Sequence, residues 1–333
     1  MSLAARLRSR EGALALIIAV LAGAVALRAP TFLSPHNILV VLTDTSFLFI
    51  LALGQTGVLL TRGIDLSVAA NLALTGMIVA LTAHALPGMP IVAVIALALL
   101  VGLGLGLING FVVAAIGVPP IVTTLGTLTI YRGTIFAIAG GRWLTQSDMS
   151  AAFLGFPKAT VLGVPALLWV AVIVAAAMTV FLTGTRTGRA IYAVGGNPVA
   201  AHYCGIRIAR VQVLVYAISG ALAGLCGYLW VARYGIAYVE IAIGYELTVI
   251  AACVIGGVSI AGGAGSVAGA LLGALFLGVI VDALPVIDVS PFWQTALSGA
   301  VILAAIVVNA RADRAGGKII LPEARRALRA GAR

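Results

Sequence analysis

The side chains in this chain that could carry out chemistry are few and far apart. His36, His84 and His202 share no ligand spacing, so neither a metal centre nor a histidine-assisted nucleophile is indicated. Cys204, Cys226 and Cys253 fall in a polar stretch and two different apolar runs without paired spacing. They read as small core residues, with no disulfide framework. The two lysines, Lys158 and Lys318, sit in Phe-Pro-Lys-Ala and Gly-Lys-Ile, so no phosphate-cradling Gly-x-x-x-x-Gly-Lys-Ser/Thr loop occurs and ATP cannot be held that way. Gly263 to Ala268 matches the dinucleotide fingerprint in letters. It lacks the strand and helix that would give the match meaning, and a hairpin between two apolar segments accounts for it. No catalytic residue, metal ligand or cofactor site is expected in this chain.

Polar residues inside the apolar runs point instead to passage of a solute. Arg132 lies well within a run, where a charge is costly unless it faces protein, water or a counter-charge. Two readings stay open for it: a structural pair, with Asp44 as candidate partner, or a residue on a solute path. Asn109, Thr123, Thr124, Thr127 and Gln55 could add uncharged donors and acceptors for a polyhydroxy solute, although Ser and Thr in apolar helices also bond their own backbone. Asp65, in Thr-Arg-Gly-Ile-Asp-Leu-Ser, opens an apolar run as an N-cap or a gate. Asp282 stands near a helix end and is expected to reach water.

The long polar interruption at 183–210 carries Arg186, Arg189, Arg207 and Arg210. Its centre predicts a short helix: Asn197 as N-cap, Pro198 in the first turn, residues 199–204 including Ala200 and Ala201, and Gly205 as stop, with Gly196 just ahead. So short a helix needs a surface to lie on. It reads either as an ordinary loop with a helical kink or as a docking loop for a soluble partner.

The elements that must position these residues are set by composition. Of 333 residues 62% are hydrophobic and 9% charged, with mean hydropathy +1.19, so a water-soluble globule could not cover its surface. Runs of about 20 apolar residues without period-2 alternation predict membrane-spanning helices, because lipid leaves no partner for unpaired backbone groups. The fold class is all-α: one polytopic domain over 1–333, with about ten spans at 12–27, 38–60, 66–86, 91–116, 120–140, 161–182, 211–232, 247–261, 266–284 and 292–308. The first run has signal-peptide character but no convincing cleavage site, and is read as a retained span. Gly102, Gly106 and Gly110, then Gly265, Gly269 and Gly273, and Gly220 with Gly224, repeat every fourth residue and predict close helix packing. The two triple repeats lie five spans apart, which hints at an internal duplication.

Charge gives an orientation. With the N-terminus inside, fifteen Lys and Arg are cytoplasmic, in the basic tails 1–11 and 310–333, at Arg62 and in the 183–210 loop, against Arg28, Arg142, Lys158 and Arg233 outside. This asymmetry accounts for the net charge of +10 without invoking nucleic acid. Both termini and the 183–210 loop are therefore expected to be cytoplasmic.

Four stretches now identify a family. Leu60-Thr-Arg-Gly-Ile-Asp-Leu-Ser-Val68, 122–133 with its Thr-Leu-Gly core, 188–197 with Ala-Val-Gly-Gly-Asn, and 255–269 resemble the ribose/xylose-type permeases of bacterial ABC sugar importers across nearly the whole chain. Within that family 66–77, Gly141-Arg-Trp143 and Gly227-Tyr-Leu-Trp230 look most like rhamnose-uptake permeases, with autoinducer-2 permeases as near relatives. The resemblance implies a multi-pass permease of the bacterial inner membrane, paired with itself or a paralogue. It also implies a cytoplasmic ABC ATPase holding ATP and Mg, and a periplasmic sugar-binding protein. Ala200-Ala201 and Gly205 would then mark the loop that engages the ATPase. Val199 stands where other importer families place an acidic residue, so a salt bridge at that point is not expected.

The function so implied is ATP-driven, binding-protein-dependent import of a neutral monosaccharide, rhamnose being the nearest match. The alternative is an ion-coupled secondary transporter of a small polar solute. That class normally shows carboxylates at the membrane midplane, whereas Asp44, Asp65 and Asp282 lie toward span ends.

Overall fold

The computed structural model describes residues 10–286 together with residues 296, 299, 300 and 303. The expected span at 292–308 and most of both basic tails lie outside the described residues. A helix satisfies its backbone groups within itself, and that requirement shapes everything else. α1 (Arg10–Arg28) is followed by the tight turn Pro30–Leu33 and then by α2 (Pro35–Leu60). Pro35 and the Ser34 hydroxyl, which accepts from Asn37 N at 3.3 Å, fix the first turn of α2. α3 (Val68–Ala85), α4 (Ile91–Phe111) and α5 (Pro120–Ala139) come next. α4 widens into a π turn over Val112–Ile116 and stops at Gly117, before a Pro-Pro pair that could not continue it.

Residues 140–165 fold over one end of the bundle as the short α6 (Ala151–Gly155) and a minute hairpin, β1 (Thr160–Val161) with β2 (Val164–Pro165). The chain returns through α7 (Ala166–Thr179), extended by a π turn to Gly184. α8 (Arg186–Gly196), α9 (Pro198–Tyr203), α10 (Ile208–Tyr234), α11 (Tyr245–Ile255) and α12 (Val267–Val286) complete the described fold.

Eight of these helices are long and apolar enough to cross a membrane, and α11 is a shorter apolar one. The all-α polytopic class read from the sequence is therefore what the chain forms. Three expectations change: the sixth run does not start its helix at 161, because the β1–β2 hairpin takes up its first residues and α7 begins at Ala166. The eighth run does not continue to 261, because α11 ends at Ile255 and the chain turns through Gly256 and Gly257, the latter at φ +86°. The 183–210 stretch holds two helices rather than one: α8 precedes the expected short helix.

The buried centre is made by α2, α3 and α10; α2 is buried without a break from Thr45 to Leu60. α1, α4 and α5 keep most of their apolar surface outside, as helices facing lipid or a second subunit do. The predicted glycine faces meet one another. Gly102 and Gly106 of α4 pack on Gly220 and Gly224 of α10 so closely that a side chain on any of the four would collide with main chain. Gly269 and Gly273 pack on Gly256 and Ala252 at the end of α11, whereas Gly265 lies in the preceding loop. α4 on α10 and α12 on α2 is also the reciprocal pairing that a five-span duplication would give.

Candidate functional site

At one end of the bundle α8 and α9 form a compact bracket. The Thr185 hydroxyl starts α8 by accepting from Gly188 N at 2.9 Å, and Ile191 and Val194 bury its inner face. α8 cannot continue into α9, because Asn197 is extended and Pro198 offers no donor. The Asn197 Oδ1 accepts from Ala200 N at 3.0 Å, capping α9 as expected. α9 closes with Gly205 N donating to His202 O at 2.9 Å and Ile206 N to Ala201 O at 3.0 Å, which places Gly205 at φ +80°, a conformation that favours glycine. Ala201 turns into the bundle. Val199 and Tyr203, one turn apart, project outward at 66% and 85% exposure, so α9 presents an apolar knob to whatever lies beyond this end. Cys204 is exposed rather than a core residue; Cys226 and Cys253 are buried as expected.

Just beneath the bracket a buried polar network gathers Asp65, Asn109 and Thr124. Asp65 does not cap α3 as its N-cap residue, a place taken by Ser67. Its Oδ1 accepts instead from Ser67 N at 2.9 Å and Ser67 Oγ at 2.7 Å, while Oδ2 accepts from Ser219 Oγ of α10 at 3.4 Å. Burial pushes the Asp65 carboxyl up from its ordinary range, and the Ser67 and Ser219 donors pull it back. Asn109 Nδ2 donates to Ser67 Oγ at 2.7 Å, and Thr127 Oγ1 donates to Asn109 Oδ1 at 2.8 Å. The Thr124 hydroxyl lies 2.9 Å from Pro120 O and 3.1 Å from Ile64 O. Such a network ties α3, α4, α5 and α10 together; Asn109 and Thr124 are fully buried in it. Thr123 Oγ1, both amide atoms of Gln55 and Tyr216 OH are buried without a hydrogen-bond partner among the described residues.

Arg132 belongs to the opposite end of α5. Its Nη1 donates to Val239 O and Ile241 O, each at 2.7 Å, so it holds the loop between α10 and α11. Asp44 is not its partner. Arg233 Nη2 lies 3.1 Å from Asp44 Oδ1, because α10 brings its last turn beside α2. The structure thus places Arg132 about two helical turns along α5 from Thr123 and Thr124, with Asn109 on α4 and Gln55 on α2.

Near Arg233 lies a feature the sequence reading missed. A cavity of about 280 Å3 opens between α2, α10, α11 and α12, lined by Asp44, Thr45 and Phe47, by Trp230 and Tyr234, by Tyr245 and Thr248, and by Asp282. Trp230 is wedged between Phe47, at 4.9 Å between ring centroids, and Tyr245, edge-on at 5.4 Å. Asp282 therefore faces this cavity instead of simply ending a helix in water. Apolar ring faces beside carboxylates and hydroxyls suit a small polyhydroxylated solute. No spacing could have revealed the arrangement, since its walls come from four helices far apart in the chain.

Comparison with known proteins fits this architecture. The family model described as branched-chain amino acid transport system, permease component, matches residues 37–306. The ribose import permease protein of Haemophilus influenzae is 40% identical over 299 residues, covering 89% of this chain and 91% of the relative. That of Escherichia coli strain K12 is 37% identical over 294 residues, covering 87% and 90%. The autoinducer 2 import system permease protein of Escherichia coli is 35% identical over 280 residues, covering 84% and 81%. No solved structure matches.

Proposed function

The chain belongs to this family of transport-system permease components, and from that premise we propose that it is the membrane subunit of an ATP-driven, binding-protein-dependent importer of a neutral monosaccharide. The observation that carries the proposal is the exposed, capped α9, seated on a rigid α8 at the arginine-rich end of a helical bundle whose sequence has no nucleotide-binding motif. A transporter of this kind takes its energy from a partner, and α9 supplies a surface on which a cytoplasmic ATPase can push. In this reading the arginine-rich end faces the cytoplasm of a bacterium, and the chain works as a pair, with itself or a paralogue, in the inner membrane. A periplasmic binding protein delivers the sugar to the opposite end.

The cavity beside Trp230 would serve as a weak station on the way. Its hydroxyl, carboxylate and aromatic groups can exchange hydrogen bonds with sugar hydroxyls, and the guanidinium beside it, Arg233, is already paired with Asp44. Ribose follows from the named relatives, and rhamnose from the motifs at 66–77, 141–143 and 227–230; rhamnose is the first to try.

Asp44 and Asp282 on one cavity, and the buried Asp65, also give an ion-coupled reading a foothold among the described residues. One experiment separates the two. The permease, reconstituted with its ATPase and binding protein, should take up labelled sugar when ATP is supplied on the ATPase side, and ionophores that collapse proton and sodium gradients should leave uptake intact. Gradient-driven uptake by this chain alone would refute the importer reading.

A further inference from the structure

Arg62 holds a backbone conformation that an arginine adopts only under constraint. At the end of α2, Arg62 N donates to Leu59 O at 2.9 Å and Gly63 N to Val58 O at 3.0 Å, with Arg62 itself at φ +66°. This is the left-handed position that closes helices, and glycine is its usual occupant because a β-carbon is disfavoured there. A strained residue persists only where its surroundings determine it, and such residues cluster at working parts of proteins.

Arg62 is exposed, yet its side chain is held along its length. Its stem lies over Gly262, where an added β-carbon would come within 2.5 Å of the arginine Cγ. Its Nε donates to Gly195 O at 2.6 Å and its Nη2 to Gly196 O at 2.9 Å. Those carbonyls are the last two of α8, a helix end that has no partners of its own and a partial negative charge. Leu60 O, at the end of α2, accepts in turn from Gly263 N at 3.0 Å, and Tyr192 OH of α8 donates to Gly265 O at 3.1 Å. The ends of α2 and α8 and the 256–266 loop are thus locked to one another. From the same 61–67 turn, Ile64 O, Asp65 and Ser67 reach Thr124 of α5, Ser219 of α10 and Asn109 of α4. α9 begins two residues after Gly196, the second of the carbonyls that Arg62 grips.

We propose that Arg62 is the positioning residue that passes displacement of α9 to the membrane-spanning helices, through its fork on the end of α8 and the polar turn it belongs to. The inference rests on the importer reading but goes beyond it: α9 receives the push, and the 61–67 turn is where the push enters the bundle. A bracket joined to the bundle only by flexible links could move without opening anything; one gripped by a bidentate guanidinium cannot.

The test is uptake of radiolabelled rhamnose or ribose per ATP hydrolysed, in proteoliposomes holding the permease, its ATPase and its binding protein. Arg62→Gly suits the left-handed backbone yet deletes the fork, so uptake per ATP should fall about tenfold while ATP hydrolysis continues. Arg62→Lys, which keeps the charge but cannot span two carbonyls, should fall between the two. Arg62→Gly at the wild-type ratio overturns the assignment. Should that variant not assemble, Arg62→Lys decides: a lowered ratio supports the role, and a wild-type ratio refutes it. Failure of the wild-type complex itself to import either sugar would count against the importer reading, a result distinct from loss in the variants alone.

Discussion

Two neighbouring glycines, Gly195 and Gly196, should respond in opposite ways to the same substitution. A β-carbon on Gly195 would fall inside the Leu60 carbonyl oxygen's envelope and 2.5 Å from Gly263 N. Both are main-chain atoms, so no side chain can rotate away. α8 would have to retreat by at least about 0.5 Å from Gly263 and further from Leu60, in an interior packed as densely as an organic crystal. The retreat strains the Gly263 N to Leu60 O bond and the Arg62 Nε to Gly195 O bond, each worth about 1 kcal/mol net, on top of an overpacking cost of about 1–3 kcal/mol. Alanine's better helix propensity returns at most about 1 kcal/mol. Gly195→Ala is therefore expected to destabilise by roughly 2–4 kcal/mol, with most of the damage confined to the α8 contact. On Gly196 the added β-carbon meets nothing within 4 Å, and its φ lies outside the left-handed region, so Gly196→Ala should be neutral or stabilising by up to about 1 kcal/mol. Thermal unfolding of the purified permease in detergent, followed by thiol exposure at Cys226 and Cys253, reads both. Equal melting of the two variants would refute the packing described for α8.

Other perturbations separate roles that the geometry assigns. Gly205→Val, at φ +80° with open space around it, should cost about 1–3 kcal/mol of pure backbone strain. Uptake and binding-protein-stimulated ATP hydrolysis should fall together, with Gly205→Asn milder; stimulated hydrolysis unchanged in the valine variant would exclude α9 as the docking element. Arg132→Met removes both 2.7 Å bonds to the 235–244 loop and should cost about 2 kcal/mol, read as faster amide exchange in that loop. A raised KM for sugar with unaltered exchange would instead place Arg132 on the solute path. In intact cells an impermeant thiol reagent should label Ser147→Cys but not the exposed native Cys204 until the membrane is breached. The reverse order would invert the orientation.

How far the sequence could be read follows from the range of the forces involved. The spans are legible because lipid imposes one local rule, about 20 apolar residues, and α9 is legible because Asn197, Pro198 and Gly205 act on their own backbone within a few residues. α8 escaped because its arginines and three glycines resemble a loop; its helical character comes from Ile191 and Val194 docking on the bundle. The glycine faces could be recognised, but not that the face on α4 would meet the one on α10. Arg62 bonds a segment more than 130 residues away, Arg132 one more than 100 away, and Asp44 found Arg233 at still greater separation. No local signal announces such pairs. The cavity is the extreme case, since only assembly of four helices makes it.

The seam between α4 and α10 bears on how the protein is made. Gly102 and Gly106 complete their contacts against Tyr216, Gly220 and Gly224 of α10. At ordinary translation rates the ribosome takes on the order of ten seconds to advance from the end of α4 to the end of α10. Throughout that interval α4 sits in the bilayer with its notched face unfilled, exposed to lipid, to the insertion machinery or to the wrong helix. Nascent chains arrested before residue 208 should therefore be cleared rapidly by membrane proteases, and those arrested after α10 has emerged should survive. Assembly of this bundle is thus timed by the synthesis of one late helix, whatever the order in which its spans enter the membrane.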